Sequence, residues 1–258
     1  MLNVKKRMDI ALKRYVFKTI KLEEYKKDYR LNPRLPMYLN YTLIGLLLSD
    51  GGLERYSATS NVRLSVIMSI YNSGYLLHLY NLFEPYIDTK LRILDIKNKS
   101  KTYTNKIYST IRFKTISIPQ FKYYFDIFYN YNNINNNWEK VVPVELKYNF
   151  NGISLAHLIM GYGNFLSERN IIRIYTNSFK KEDVILLSNI INENLRIKNK
   201  VVHDRNNQYI LIIEKENVNL IREITLPYMH PSMLYKLGIK INSISNNKFD
   251  YINIIKDI

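Results

Sequence analysis

The sequence predicts an α+β protein of two pseudo-symmetric halves, each an α-β-β-α-β-β-α-like unit. An apolar helical segment closing on glycine occurs twice, about 110 residues apart. Each copy is followed by the same order of strand, helix, hairpin and helix. Along the strands basic and apolar residues alternate, which predicts antiparallel sheets with one face on the core and a basic face outward.

The elements follow in order. Residues 1–38 form a basic N-terminal arm that ends in Asn32-Pro33-Arg34-Leu35-Pro36, where two prolines break any helix. The arm contains Asp9, Glu23, Glu24 and Asp28. Transit peptides are poor in acids, so a structured or nucleic-acid-contacting arm is expected instead. The first half, 39–130, opens with Thr42-Leu43-Ile44-Gly45-Leu46-Leu47-Leu48-Ser49-Asp50-Gly51-Gly52, a helix stopped by glycine. A strand (Val62–Ile70), a helix (Gly74–Tyr86), a hairpin (Lys90–Lys97 with Lys106–Ser117) and a helix (Pro119–Tyr129) follow. The Asn-rich stretch Asn130–Asn137 marks a linker, placed at 131–152. The second half, 153–240, opens with Ser154-Leu155-Ala156-His157-Leu158-Ile159-Met160-Gly161-Tyr162-Gly163-Asn164. A strand (Ile171–Thr176), a helix (Glu182–Leu195), a shorter hairpin (Lys198–His203 with Tyr209–Lys215) and a helix (Val218–Leu226) match the first half. Residues 241–258 form a C-terminal tail.

Charge narrows the function. The 258 residues carry a formal net charge of +16, and 47% are hydrophobic, enough to build a core. Such an excess suits a polyanion, above all a phosphate backbone; an anionic membrane surface is the other candidate. There is no apolar run of about 18 residues, so no membrane span is expected. The chain has no cysteine, which excludes disulfides, Cys-ligated zinc and thiol nucleophiles. Four scattered histidines (His78, His157, His203, His230) make a His-based metal cluster a poor expectation. Metal chemistry would then use carboxylates and a hard cation such as magnesium. Asn, Ile, Lys and Tyr are used heavily, with 23 Tyr against 8 Gly and 1 Trp. All four have A/T-rich codons, which points to an organelle genome and a mitochondrial location. Part of the Lys and Tyr excess is then codon drift.

Two apolar helices can pack along their faces if small residues let them approach, and Gly45 and Ala156 sit where that closeness is needed. Helices packed this way end side by side, so the last acid of each would point into one shared site. The paired segments resemble the LAGLIDADG homing endonucleases and maturases in their single-chain, two-motif form, over roughly residues 38–240. The resemblance implies that these helix ends form a cleavage centre in which paired carboxylates hold divalent cations on the scissile phosphates. It also implies that the flanking antiparallel sheets form a saddle on a nucleic-acid groove. Asp50 holds the acid position of the first motif and is the metal ligand expected here, with Mg2+ weak or absent if the site is inactive. The matching position of the second motif is Tyr162, a neutral phenol and a poor magnesium ligand. Glu168, the nearest downstream acid, is not expected to replace it. Lys140 and Lys236 match places where relatives carry a basic residue near the centre, so the catalytic set is Asp50, Lys140 and Lys236. The bland alternative is two surface lysines in a Lys-rich chain.

The residues expected to touch nucleic acid are Arg63, Arg92, Lys97, Lys99, Lys101, Lys106, Arg112 and Lys114 in the first half. In the second they are Arg169, Arg173, Lys198, Lys200 and Arg205. Tyr56, Tyr103 and Tyr108 fall at strand ends, where they could stack on bases. His157, inside the second motif helix, is expected to pack rather than to act as a base. The partner is structured RNA such as a group I intron, or duplex DNA, held by a monomer with internal pseudo-twofold symmetry. The expected function is a catalytically impaired homing-endonuclease relative acting as an RNA maturase or splicing cofactor. An active magnesium-dependent homing endonuclease or nickase, and a structural RNA-binding protein of an organellar ribonucleoprotein, are the alternatives.

Overall fold

Helix α1 (Met37–Leu47) begins directly after Pro36, in a computed structural model that describes residues 34–97 and 107–240. The arm up to residue 33 and the tail from 241 lie outside the described residues. Leu39, Leu43, Ile44, Leu46 and Leu47 are all buried, so α1 is apolar nearly all round, the mark of a helix inside a core. The first half continues through β1 (Gly51–Arg55), β2 (Val62–Ser69), α2 (Ser73–Phe83), β3 (Arg92–Lys97), β4 (Ile107–Lys114) and α3 (Lys122–Phe128). A hairpin, β5 (Tyr129–Asn132) and β6 (Asn137–Lys140), and the short helix α4 (Leu146–Asn149) lead to the second motif helix, α5 (Gly152–Tyr162). Then come β7 (Gly163–Leu166), β8 (Ile171–Ile174), α6 (Lys181–Leu195), β9 (Lys200–His203), β10 (Tyr209–Ile213) and α7 (Lys215–Thr225). The described chain closes with 3₁₀ turns at Leu226–Tyr228 and Pro231–Leu237.

The internal repeat is visible in the topology. One antiparallel sheet has the order β1-β2-β4-β3 and the other β7-β8-β10-β9, the same order half for half. Both open with a strand that the sequence left as a turn. Gly51-Gly52-Leu53-Glu54-Arg55 has a single apolar residue, too few for an alternation to register. Glycine at each helix end lets the chain double back on its own helix. A Cβ at Gly51 would lie 2.9 Å from Leu46 Cβ, and one at Gly163 2.6 Å from Ile159 Cγ2.

The Asn-rich stretch between the two halves is folded, as the β5–β6 hairpin. Its turn is held by Asn132 Oδ1, which accepts from Ile134 N (2.9 Å) and Asn135 N (3.2 Å), the local bonding that suits Asn to turns. Asn136 takes the left-handed conformation, φ 49°. The hairpin covers the free edge of β1, where Tyr129 Oη accepts from Leu53 N at 2.8 Å. An edge strand left bare would offer unpaired backbone groups to other chains.

Helices α1 and α5 pack against each other through the centre of the molecule. Asn151 caps α5, its side chain accepting from Ile153 N and Ser154 N. Ala156 is buried, but the tightest contacts fall to two glycines. Gly45 lies on the Ser154 carbonyl and His157, whose Cβ would be 2.6 Å from an added Cβ. Gly161 lies on Ser49, whose Cβ and Oγ would each be 2.5 Å away. Polar pins fix the register: Ser154 Oγ donates to Tyr41 O (3.0 Å), and His157 is fully buried between Thr42 Oγ1 (3.2 Å) and Tyr75 Oη (2.7 Å). His157 is thus a packing residue, as expected. Gly45→Ala should destabilise the chain by about 1–3 kcal/mol, the range for overpacking a close contact. Gly52→Ala, whose Cβ would meet only Tyr129 Oη at 3.7 Å, is the matched control and should be near neutral in urea denaturation.

Candidate catalytic centre and nucleic-acid interface

The C-terminal ends of α1 and α5 lie side by side. Ser49 Oγ turns back to donate to Gly45 O (2.9 Å), which frees that side of the helix for Gly161. Asp50 follows, with Oδ2 3.2 Å from where a Gly161 Cβ would be. Tyr162 faces it. Ser49, Asp50, Glu54, Ser65, Lys140 and Tyr162 line an open cleft of about 320 Å³ at this point. The sequence pairing of Asp50 with Tyr162 is therefore a spatial one.

Both expected lysines come within reach of the Asp50 charge, one from each half. Lys140 Nζ donates to Gly51 O at 2.7 Å, just past the end of α1. Lys236 Nζ donates to Met160 O (2.6 Å) and Gly161 O (2.5 Å) at the end of α5. The Lys236 ammonium thus meets carbonyls that the end of α5 leaves without partners, at the negative pole of the helix dipole, whereas Lys140 holds the first carbonyl of β1. Burial lowers both lysines to about 8, against an opposing pull from the Asp50 charge. Burial raises the Asp50 carboxyl above its ordinary range, and Lys236 and Lys140 offset only part of this. Tyr162 is raised by burial and then by the Asp50 charge, so it stays a neutral phenol.

The outer face of the first sheet carries the basic surface. Arg63, Lys90, Arg92, Arg112 and Lys114 line a second cleft of about 270 Å³, joined by Asp88. Arg92 stands directly across the strands from Arg112. Two of these cations are already committed, since Arg63 (2.7 Å) and Lys114 (2.7 Å) both bind Glu54. Lys97 ends β3, with its side chain outside the described residues, as are Lys99, Lys101, Lys106 and Tyr103 altogether. In the second half only Arg173 and Lys200 sit on sheet strands, and Lys200 is paired with Glu214 at 2.7 Å. Arg169 and Arg205 lie on the turns before β8 and β10, and Lys198 lies in the loop before β9; all three are exposed. Here strand alternation accounts for two of five predicted residues. Tyr56 is fully open on the β1–β2 turn and Tyr108 half-open on β4.

The model of the LAGLIDADG DNA endonuclease family matches residues 41–221, most of the chain. The chain belongs to this family. It is 28% identical over 218 residues to cytochrome b mRNA maturase bI2 of Saccharomyces cerevisiae, a match covering 83% of this chain and 50% of the yeast protein. The chain thus spans about half the length of that maturase. It is 26% identical over 207 residues to DNA endonuclease I-ChuI of Chlamydomonas applanata, covering 76% of this chain and 92% of that one. Among solved structures, the homing endonuclease I-WcaI bound to its DNA recognition sequence superposes with a TM-score of 0.70 at 24% identity, over 83% of this chain and 92% of that one. That likeness establishes the fold.

For a LAGLIDADG chain the donor set at the helix ends is poor for a divalent cation. It offers one carboxylate, raised by burial, beside a phenol and two ammonium groups. No group of three His, Cys, Asp or Glu side chains placed to hold a metal occurs among the described residues. Glu168 sits exposed on the β7–β8 turn and does not line the cleft. Glu54, which does, gave no sequence signal, because β1 itself was not legible; its oxygens are taken by Lys114 and Arg63. The residues present do not fit a two-metal centre.

The lysines make the stability pH-dependent in a defined direction. Between about 8 and their ordinary 10.5 the unfolded chain holds protons that the folded chain has released. Stability should therefore rise with pH above about 8, and fall as pH drops toward it. Chemical denaturation from pH 7.5 to 9.5 should show this rise, and Lys140→Met/Lys236→Met should flatten it.

Proposed function

We propose that this LAGLIDADG protein is a catalytically impaired homing-endonuclease relative that binds structured RNA as a maturase or group I intron splicing cofactor. Tyr162 at the second acid position carries the reading. Two carboxylates at the helix ends would hold cations on two scissile phosphates, and one neutral phenol in place of either removes a ligand. Loss of transition-state charge stabilisation costs catalysis heavily. The scaffold around it is intact, with both lysines seated and a basic cleft on the first sheet. A fold kept while its catalytic acid is replaced is under demand for binding. Two relatives are named as cytochrome b mRNA maturases, which supports an intron RNA partner and an organellar, mitochondrial setting. The protein would act as a monomer, its two halves supplying the pseudo-twofold that a dimer would otherwise provide. No helix among the described residues is long and apolar enough to cross a membrane.

A second reading has its own support. Asp50 remains in the cleft with Lys140 and Lys236 beside it, and the name of I-ChuI is that of a DNA endonuclease. In that reading Asp50 would hold a single magnesium ion, which would supply Lewis-acid activation for nicking one strand.

Splicing separates the two. Added to its host intron transcript at low magnesium, the protein should raise the splicing rate at least tenfold. The affinity for that RNA should fall steeply with salt. Asp50→Asn should leave this stimulation within about twofold, whereas an unchanged splicing rate on adding the native protein would contradict the maturase role.

A further inference from the structure

The β5–β6 hairpin carries a feature that neither the cleavage centre nor the basic cleft uses. Tyr131 and Trp138 are directly opposed across its strands, with ring centroids 5.2 Å apart. The indole also packs edge-on against Phe125 at 5.0 Å. Held on two sides, Trp138 nonetheless keeps 47% of its surface open and Tyr131 keeps 48%. Neither the indole N–H nor the Tyr131 hydroxyl has a hydrogen-bond partner among the described residues. At this exposure both polar edges are open to solvent, so the rings offer a ligand a flat face with polar edges.

Their place in the fold says which ligand. Side chains alternate across a strand pair, so Tyr129, Tyr131, Trp138 and Lys140 share one face. Tyr129 and Lys140 are clamped to the edge of β1, through Leu53 N and Gly51 O. The hairpin is therefore anchored at its base, and the open aromatic pair sits two residues out from the cleft lysine, roughly 7 Å along the strand. We propose that Tyr131 and Trp138 form a stacking platform for an unpaired base of RNA bound beside the cleft, an assignment that rests on the maturase reading. A duplex keeps its base faces covered by their neighbours, while loops and bulges of RNA present theirs to aromatic side chains. A protein partner is the weaker fit, because two rings are far smaller than a specific protein interface. The rings are already fixed by Phe125 and by each other, so little side-chain freedom is lost on stacking.

Trp138 is the single tryptophan of the chain, so its emission reports this site alone. The native protein is titrated with the host intron RNA, with an unstructured single-stranded RNA, and with a fully paired duplex DNA, and binding is followed independently by anisotropy of the labelled nucleic acid. Both RNAs should quench Trp138 along the binding curve, and the duplex should bind with little quenching. Trp138→Leu, which keeps an apolar cover over Phe125, should weaken RNA binding about tenfold or more, the scale of one stacked base, with the salt slope unchanged. Its melting temperature should match that of the native protein, which separates stacking from a merely structural cross-strand pair. Intron RNA that binds without changing Trp138 emission, or equal quenching by the duplex, would overturn the platform and leave the maturase reading standing. Quenching by the single-stranded RNA with no binding of the intron would retain the platform and remove the maturase reading. Failure of both RNAs to bind would remove both.

Discussion

The distance at which α1 and α5 can run together controls the rest of this molecule. Gly45 against His157 and Gly161 against Ser49 set that distance, with no room for a methyl group at either glycine. The contact does more than join two halves. It aligns the last residues of both helices, so that whatever stands there shares one cleft. It also decides where the sheets go, since each begins on the glycine that follows its helix. The buried Thr42–His157–Tyr75 chain of polar contacts fixes the register in the same region. Buried polar groups left unmatched are expensive, so a slip of either helix is penalised.

On this symmetric frame the chemistry is not symmetric. The lysines follow the repeat in part: Lys236 closes the carbonyl end of α5, while Lys140 holds the first carbonyl of β1. The acid does not follow it at all, because Asp50 faces Tyr162. Burial raises Asp50 and lowers both lysines to about 8, so the centre disfavours charge on all three groups and is a poor collector of cations. The basic surface is also uneven. The first sheet gathers its cations around one cleft, whereas the second half scatters most of its own onto turns. Such a surface suits an irregular polyanion as well as a straight groove.

Much of this was legible in the sequence because the governing features are periodic. Two apolar helices at one spacing announced the halves, and aligning them placed Tyr162 opposite Asp50. Lys140 and Lys236 could be located only through the resemblance, since a lysine in a Lys-rich chain carries no local signal. What stayed hidden was short or conditional. β1 has a single apolar residue and β7 runs straight on from its motif helix, so neither shows an alternation of its own. The Asn-rich hairpin reads as low complexity until one sees the bare edge of β1 that it covers. Gly161 looks like an ordinary helix stop, and only its partner Ser49 shows it to be a spacer. Glu54, which neutralises two of the predicted cations, sits in the strand that could not be read.

In the proposed reading Tyr162 has disarmed a cleavage centre by taking the place of its second acid. Magnesium-dependent cleavage of duplex DNA spanning the joined exons tests it directly, with the native chain and Tyr162→Asp compared side by side. The native chain should make no double-strand cut, and the variant should cut measurably. Efficient double-strand cleavage by the native chain would contradict it.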